Sequence, residues 1–172
     1  QLRTPFQVFY TIEAERGISQ VRNRALDLVQ ADYFAFVDDD EYLSSDWLLN
    51  MLYTIKKYKA DVAFGPVLRI LPDDAPSWFR ELPLYNRQYR KTGTFVDHGY
   101  TNNVLIRTDA VRNLNVRFDT SFSFSGGGDS DFFYRMFLKG STLVWCNEAI
   151  VYERVPKERV NKKWVLRRAF RG

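Results

Sequence analysis

The chain has 172 residues, a length that fits one domain, and its 45% apolar and 16% aromatic content is sufficient for a hydrophobic core. This composition excludes an intrinsically disordered chain, and no apolar run is long enough to span a membrane. The formal net charge of +4 favours anionic partners such as nucleotides, lipid-linked phosphates or phospholipid head groups. The single cysteine, Cys146, permits no internal disulfide and favours a reducing compartment.

Hydrophobic periodicity predicts an alternation of strands and helices. We predict, in chain order, strands at residues 6–12, 33–37, 61–70, 101–107, 143–145 and 149–152, and helices at residues 21–29, 46–58, 109–114 and 129–139. Ser19 and Ser45 are expected to cap the first two helices. The second helix is expected to turn its apolar side chains inward, namely Leu48, Leu49, Leu52 and Ile55. Together the elements predict an α/β domain with a mostly parallel sheet and flanking helices.

Three segments fall outside this alternation. Residues 72–83 predict a loop in which Trp78 either stacks on a sugar ring or packs in the core, and residues 85–93 have a weak helical pattern. Residues 156–172 are basic, with Trp164 among the apolar side chains between the charges. We therefore divide the chain into a domain at residues 1–155 and a basic amphipathic segment at 156–172. That segment either lies on an anionic membrane or packs on the domain; nucleic acid is not favoured as a partner.

An acidic run, Asp38-Asp39-Asp40, directly follows the predicted strand at 33–37. Open α/β sheets bind ligands at the carboxyl ends of their strands. Three adjacent carboxylates repel one another unless a cation compensates them, and Mg²⁺ or Mn²⁺ prefers such oxygen ligands. Because residues i and i+2 of an extended segment point the same way, Asp38 and Asp40 are predicted to bind one cation while Asp39 points elsewhere. The alternative is a solvated acidic turn before a helix.

Three glycines at 126–128 precede a second pair of carboxylates, Asp129 and Asp131. Glycines let a backbone approach a ligand closely and let a loop move. Either aspartate could cap the helix that begins here, or one could be a general base that takes a proton from an incoming hydroxyl. The residues alone leave both interpretations open.

Four stretches together resemble the family 2 glycosyltransferases of the GT-A fold. They are ISQVRNRAL at 18–26, YFAFVDDDEYLSSDWL at 33–48, TNNVLIRTDAV at 101–111 and GGGDSDFFYRMFLKG at 126–140. In order and spacing they are similar to the family's arginine–asparagine helix, its DXD strand end, a later strand and the helix with its catalytic acid. DDDE, GPV and the E-x-V-P-x-x-R stretch at 153–159 resemble bacterial succinoglycan-type exopolysaccharide glucosyltransferases. The resemblance implies a Rossmann-like fold that binds a nucleotide-diphospho-sugar.

The resemblance also implies a donor site. Asp38 and Asp40 match the ends of the DXD motif, which contacts the ribose and the diphosphate-bound metal, and Asp39 matches the middle residue that some members use instead. Arg22 matches an arginine near the nucleotide. Glu153 falls near the position where many members place a metal-binding histidine, and its carboxylate is a chemically reasonable metal ligand.

The catalytic base is implied less uniquely. Asp129 matches the aspartate that acts as base in an inverting displacement, but Gly128 stands where the family usually has a glutamate. Because of this departure, Asp129 and Asp131 are both candidates for the catalytic base. The family's first strands, with the acid that recognises the nucleotide base, have no counterpart in the chain, so the domain is expected to be N-terminally truncated with an exposed sheet edge. The sequence does not decide whether these 172 residues catalyse sugar transfer without the missing strands.

The implied function is an inverting, metal-dependent transfer of a sugar from a UDP-sugar, with UDP-glucose as the leading donor. The acceptor would be a glycan or a lipid-linked saccharide in bacterial surface polysaccharide synthesis. Two alternatives stay open: a metal-dependent phosphotransferase or nucleotidyltransferase, and a non-catalytic fragment that binds nucleotide or glycan. The expected location is the cytoplasm, with peripheral contact with the inner face of the plasma membrane as an additional expectation.

Overall fold

The computed structural model describes residues 7–82 and 90–169, so the predicted start of the first strand, the segment at 85–89 and the end of the basic segment lie outside it. The helices are α1 (Ile18–Leu28), α2 (Trp47–Tyr58), α3 (Ser77–Arg80), α4 (Thr108–Leu114), α5 (Gly128–Leu138) and α6 (Lys162–Ala169). The strands are β1 (Tyr33–Val37), β2 (Glu41–Leu43), β3 (Val62–Phe64), β4 (Val67–Ile70), β5 (Phe95–Val96), β6 (Asn103–Arg107), β7 (Leu143–Trp145) and β8 (Val151–Arg154). The predicted α/β class is confirmed.

The strands form two sheets. The central sheet has the order β1-β6-β3-β7-β5, and a smaller sheet has the order β2-β8-β4. β6 runs antiparallel to β1 and to β3, and β5 runs antiparallel to β7, whereas β3 and β7 are parallel. The predicted mostly parallel sheet is therefore wrong for the described strands, and the sheet is mixed. A strand buried on both faces is a continuous apolar run whether it is parallel or antiparallel to its neighbours. The sequence therefore does not indicate that β6 runs opposite to β1 and β3.

The core lies on both faces of the central sheet because successive strand residues point to opposite faces. On one face, Val104 and Ile106 of β6 pack with α5, where Phe132 stacks on Phe118 with ring centroids 4.0 Å apart. On the other face, Leu105 belongs to a cluster with the buried side of α2. The central sheet thus lies between α5 and α2. The acidic run follows β1, an edge strand of this sheet.

The buried face of α2 differs from the predicted one. Trp47, Met51 and Ile55 recur every four residues and are at most 3% exposed, whereas Leu48 and Leu49 are 54% and 69% exposed. The prediction that both leucines face inward is wrong. A helix can bury only one stripe, and the stripe that begins at the large tryptophan is the one that meets the sheet.

The two predicted serine caps are also wrong. α1 follows Gly17 without a side-chain cap, and Ser19 is buried in the first turn, where its Oγ donates to the Asp119 carbonyl oxygen at 2.9 Å. α2 follows Asp46 rather than Ser45, again without a side-chain cap hydrogen bond. Ser19 therefore anchors α1 to a distant loop instead of closing its own helix.

Two predicted strands are changed. Residues 7–12 belong to no strand, and Phe9 and Tyr10 are 82% and 87% exposed, because β-branched and aromatic composition stabilises a strand only beside a partner. The predicted strand at 61–70 is divided into β3 and β4 at Gly65 and Pro66. Proline cannot donate a ladder hydrogen bond, and the break moves the chain from the central sheet to the small one.

Candidate active site

The small sheet carries a row of charged residues next to the acidic run. Glu41 of β2 lies opposite Glu153 of β8, which in turn lies opposite Arg69 of β4. Two like charges opposite each other destabilise a strand pair. Here Arg69 Nε donates to Glu153 Oε2 at 2.8 Å, and Arg159 Nη1 donates to Glu153 Oε1 at 3.2 Å. Glu153 is therefore held between two guanidinium groups.

A cleft of about 320 Å³ takes in Arg69 and Glu153 of this row and Asp38 and Asp40 of the acidic run. Its volume lies within the range of about 300–1,000 Å³ typical of ligand sites. It is lined by Asp38, Asp40, Arg69, Asn102, Glu153, Val155, Arg159, Trp164 and Arg168. Asp38 and Asp40 both line the cleft, and Asp39 is not among its lining residues. The predicted extended segment is wrong: residues 38–41 form a turn in which the Glu41 N–H donates to the Asp38 carbonyl oxygen at 3.2 Å, and this turn brings both carboxylates to the cleft. Three carboxylates and three guanidinium groups thus face a common space.

Asp38 shows which charged groups share this environment. Its surface stays open to solvent, but the cleft walls displace part of its hydration, and this burial raises the pKa of Asp38. The negative charges of Asp40, Asp129 and Glu153 raise it further, while Arg22 opposes them. The acidic run and Asp129, separated by many residues in sequence, are therefore electrostatic neighbours. Such a carboxylate is stabilised in its ionised form by an added cation.

Glu41 is a site residue that the sequence interpretation missed. Its Oε2 accepts a hydrogen bond from the Asp38 backbone N–H at 3.1 Å, and its Oε1 accepts one from Asn102 Nδ2 at 3.3 Å. Burial raises the pKa of Glu41 to about 7, and the charges of Asp38 and Glu153 add to the effect against these hydrogen bonds. Its position directly after the acidic run was the available signal.

Asp129 lies in the first turn of α5 and forms an ion pair with Arg22 of α1. Its Oδ2 accepts hydrogen bonds from the Thr101 backbone N–H at 3.1 Å and from Thr101 Oγ1 at 2.7 Å. Arg22 Nη2 also donates to Thr101 Oγ1 at 2.5 Å. A carboxylate can accept about four hydrogen bonds, and residues in the described part of the chain donate three to Asp129, so its capacity is not filled by them. No local pattern marked Thr101, which lies just before β6.

Asp131 has different surroundings, although it is only two residues from Asp129. Its Oδ2 accepts from Arg135 Nε at 2.9 Å and from Arg135 Nη2 at 2.6 Å. A separation of two residues turns a side chain by about 200° around a helix axis, so the two aspartates face different directions. The Asp131 ion pair stays within α5, whereas Asp129 reaches α1 and the segment before β6.

The position of Arg22 depends on its neighbour Asn23. The Asn23 side chain donates from Nδ2 to the Phe118 carbonyl oxygen and accepts at Oδ1 from the Phe118 N–H, both at 2.9 Å. The Arg22 guanidinium lies 5.4 Å from the centre of the Phe118 ring. The arginine–asparagine pair thus has divided roles, with Asn23 anchoring α1 while Arg22 reaches the site.

A divalent cation fits part of this site. Asp38 and Asp40 offer carboxylate oxygens to the same cleft, and Arg159 Nη2 lies 3.5 Å from Asp40 Oδ2. Within residues 7–82 and 90–169, no three His, Cys, Asp or Glu side chains are grouped so as to hold a metal ion. Mg²⁺ is commonly held by one or two carboxylates together with phosphate oxygens, and the aspartate pair is compatible with that type of site. Metal binding by these residues and by Glu153 stays a prediction.

Comparison with known proteins identifies the class. The family model described as "Glycosyl transferase family 2" matches residues 2–114, and the chain therefore belongs to glycosyl transferase family 2. It is 38% identical over 174 residues to the succinoglycan biosynthesis protein ExoM of Rhizobium meliloti (strain 1021), covering 98% of this chain and 54% of ExoM. It is 21% identical over 176 residues to the glycosyltransferase GlyA of Streptococcus pneumoniae serotype 4, covering 92% of this chain and 24% of GlyA. The chain thus spans about half of the first relative.

Solved structures support the fold. The crystal structure of S. aureus TarS matches with a TM-score of 0.61 at 17% identity, over 81% of this chain and 24% of that chain. The structure of TarS 1-349 in complex with UDP-GlcNAc matches with a TM-score of 0.58 at 17% identity, over 81% of this chain and 39% of that chain. These similarities confirm the GT-A type of fold and, at this level of identity, the fold alone.

Proposed function

We propose that the full-length protein is an inverting glycosyltransferase that moves a sugar from a UDP-sugar to a hydroxyl group of a glycan or lipid-linked saccharide. The observation that carries the proposal is that Asp38 and Asp40 line one cleft while the charges of Arg22 and Asp129, which form an ion pair beside it, act on Asp38. Displacement of a nucleoside diphosphate requires compensation of charge on the leaving group and a base for the incoming hydroxyl. Membership of family 2 supports the same chemistry.

Asp129 is the base in this proposal. Its remaining acceptor position takes the hydrogen bond of the incoming hydroxyl, while Arg22 and Thr101 hold the carboxylate in place. The hydroxyl oxygen forms a bond to the anomeric carbon as the bond from that carbon to the diphosphate breaks. The electron pair of the broken bond leaves with UDP, and the hydroxyl proton passes to Asp129. Attack opposite the leaving group inverts the anomeric configuration.

In this proposal the donor is held at the cleft that Asp38 and Asp40 line. Asp38 and Asp40 would hold Mg²⁺ or Mn²⁺, which when bound neutralises charge on the departing diphosphate. Arg22, Asp38 and Asp39 are the nucleotide contacts that the family resemblance implies; Asp38 lines the cleft, and contacts by Arg22 and Asp39, which do not line it, stay predictions. A protein of similar fold was solved with UDP-GlcNAc, which supports a UDP-sugar as donor. UDP-glucose is the first donor to test because the sequence resembles succinoglycan-type glucosyltransferases, and UDP-GlcNAc is the second.

The acceptor and the location follow from the same proposal. Within the described residues, no helix has the length and apolar character needed to cross a membrane. We propose action in the bacterial cytoplasm, where a lipid-linked saccharide would be met at the inner face of the plasma membrane. Contact of the basic segment with anionic lipid stays a prediction, testable by sedimentation with vesicles that contain or lack anionic lipid.

Replacing Asp40 with alanine is expected to lower Mn²⁺-dependent transfer by the full-length protein about 100-fold, because one of two carboxylates near the cation is lost. UDP release and Mn²⁺ binding by calorimetry measure the effect. Asp73→Ala, an exposed acid outside the cleft lining, is the control. Unchanged turnover in Asp40→Ala would exclude the metal role, and release of pyrophosphate instead of UDP would favour a nucleotidyltransferase.

Replacing Thr101 with valine is expected to lower kcat about tenfold, because the carboxylate of Asp129 loses the hydrogen bond from Thr101 Oγ1. Thr101→Ser keeps the hydroxyl and should restore most of the rate. The donor KM of the valine variant should also rise, because Thr101 Oγ1 accepts from Arg22 Nη2, a proposed nucleotide contact, whereas the serine variant keeps both hydrogen bonds and should keep the KM. Equal rates for the valine and serine variants would show that the hydroxyl has no part in the reaction.

A further inference from the structure

We propose that residues 157–169, the C-terminal segment, belong to the donor site. Arg159 lies beside Asp40 in the position of a counterion. When a divalent cation binds, Arg159 leaves Asp40 and, together with Arg168, binds the diphosphate of the sugar nucleotide. This inference rests on the proposed function and adds to it a set of residues that recognise the anionic part of the donor.

The segment is built against the cleft rather than projecting from the domain. The Val155 N–H donates to the Ile70 carbonyl oxygen at 3.0 Å just before the segment begins, and Lys157 Nζ then lies 2.7 Å from Asp74 Oδ2 on the exposed surface. Arg159 then reaches Glu153 at 3.2 Å and Asp40 at 3.5 Å, and its guanidinium lies 5.9 Å from the centre of the Trp164 ring. Arginine 159 thus bridges the acidic run, strand β8 and helix α6.

Little free energy is needed to separate Arg159 from Asp40. The 3.5 Å separation is the longest in this group, and the two side chains are 36% and 44% exposed, so the ion pair contributes little in water. Glu153 keeps its hydrogen bond from Arg69 at 2.8 Å when Arg159 moves. A divalent ion between Asp38 and Asp40 would attract these carboxylates more strongly than a single guanidinium and would repel Arg159 by like charge.

Helix α6 supplies a second arginine on the same side. Trp164 and Arg168 are four residues apart, which places them on one face of α6, and both line the cleft. Among the described residues, no carboxylate forms an ion pair with Arg168. A guanidinium offers planar donors that match phosphate oxygens, so Arg159 and Arg168 form an arginine pair suited to a diphosphate.

The charges of the cleft are consistent with joint binding. Its lining holds three carboxylates, Asp38, Asp40 and Glu153, against three guanidinium groups. A divalent cation added to this balanced set leaves a positive excess, which the negative diphosphate offsets. The cation and the diphosphate are therefore expected to strengthen each other's binding.

The test compares three glutamine variants of the full-length protein by calorimetry, first with Mn²⁺ alone and then with UDP in excess Mn²⁺. Arg159→Gln should bind Mn²⁺ about threefold to fivefold more tightly, because a competing cation is removed. It should bind UDP about tenfold more weakly, because a charge-assisted hydrogen bond is lost. Arg168→Gln should weaken UDP binding similarly without changing Mn²⁺ affinity. Arg167→Gln removes the same charge from an exposed position of α6 outside the cleft lining and should change neither.

Opposite shifts in metal and UDP affinity distinguish this role from simple destabilisation, which would weaken both. Weaker or unchanged Mn²⁺ binding in Arg159→Gln overturns the exchange, and UDP affinity in Arg168→Gln equal to that in Arg167→Gln overturns the arginine pair. Both results leave the proposed function standing if the unaltered protein binds Mn²⁺ and UDP. If the unaltered protein binds neither, the proposed function fails and the inference fails with it.

Discussion

Asp129→Asn is expected to lower kcat about 10²-fold to 10⁴-fold in the full-length protein, the range contributed by a general base. Asparagine keeps the size of the side chain and an oxygen that can accept hydrogen bonds, so Arg22 and Thr101 retain a partner. It cannot take the proton of the incoming hydroxyl. Initial rates of UDP release, with UDP binding measured in parallel, separate the lost chemical step from lost donor binding.

Asp131→Asn is the matched comparison because it changes the other aspartate of the same helix turn. Its ion pair with Arg135 is an i,i+4 pair on the helix surface, so its loss is expected to lower the free energy of unfolding by only about 0.5 kcal/mol. Its kcat should stay near that of the unaltered protein. A larger fall in kcat for Asp131→Asn than for Asp129→Asn would transfer the role of base to Asp131.

Asn103→Ala is expected to lower the free energy of unfolding by about 3–5 kcal/mol, because three buried partners lose their hydrogen bonds at once. Asn103 is 2% exposed, accepts from Trp47 Nε1 at 2.8 Å, and donates to the carbonyl oxygens of Pro66 and Ala149, both at 2.9 Å. These contacts join α2, the break between β3 and β4, and the approach to β8. Urea denaturation followed by circular dichroism measures the loss.

Asn113→Ala is the control for this measurement, since Asn113 is an exposed position of α4 and its replacement should change stability by less than about 0.5 kcal/mol. If both alanine variants unfold at the same urea concentration, Asn103 does not join the two sheets energetically.

Much of the fold followed from local pattern. The continuous apolar runs that became β1, β6 and β7 and the periodic stretch that became α5 were predicted within a few residues. Strand direction was not predicted, because the apolar pattern of a doubly buried strand is the same in both directions. The buried side of α2 was missed because Trp47, Leu48 and Leu49 are adjacent apolar residues, and only contact with the sheet selects one stripe.

Some of the candidate site residues could likewise be selected from local sequence, and others could not. Asp38, Asp40 and Asp129 were selected from local sequence, and their roles stay predictions. Residues 38–41 form a turn rather than the expected extended segment, so the reason for pairing Asp38 with Asp40 was wrong although both line the cleft. Thr101 and Arg159 became site residues only through contacts with partners far away in sequence, Asp129 and Asp40, and no local pattern records such contacts. A basic segment can lie on lipid, in solvent or over a cleft, and charge pattern alone does not distinguish these positions.

Glu153 joins two arginines from separate parts of the chain, Arg69 and Arg159, and substitutions at these positions should therefore be coupled in evolution. A relative with histidine or a neutral residue at position 153 would lose the shared carboxylate, and at least one of the arginines is expected to differ in that relative. Relatives that keep the glutamate should keep both. In engineering terms, the three positions form a single unit, and a metal-binding histidine at position 153 would have to be introduced together with changes at 69 and 159.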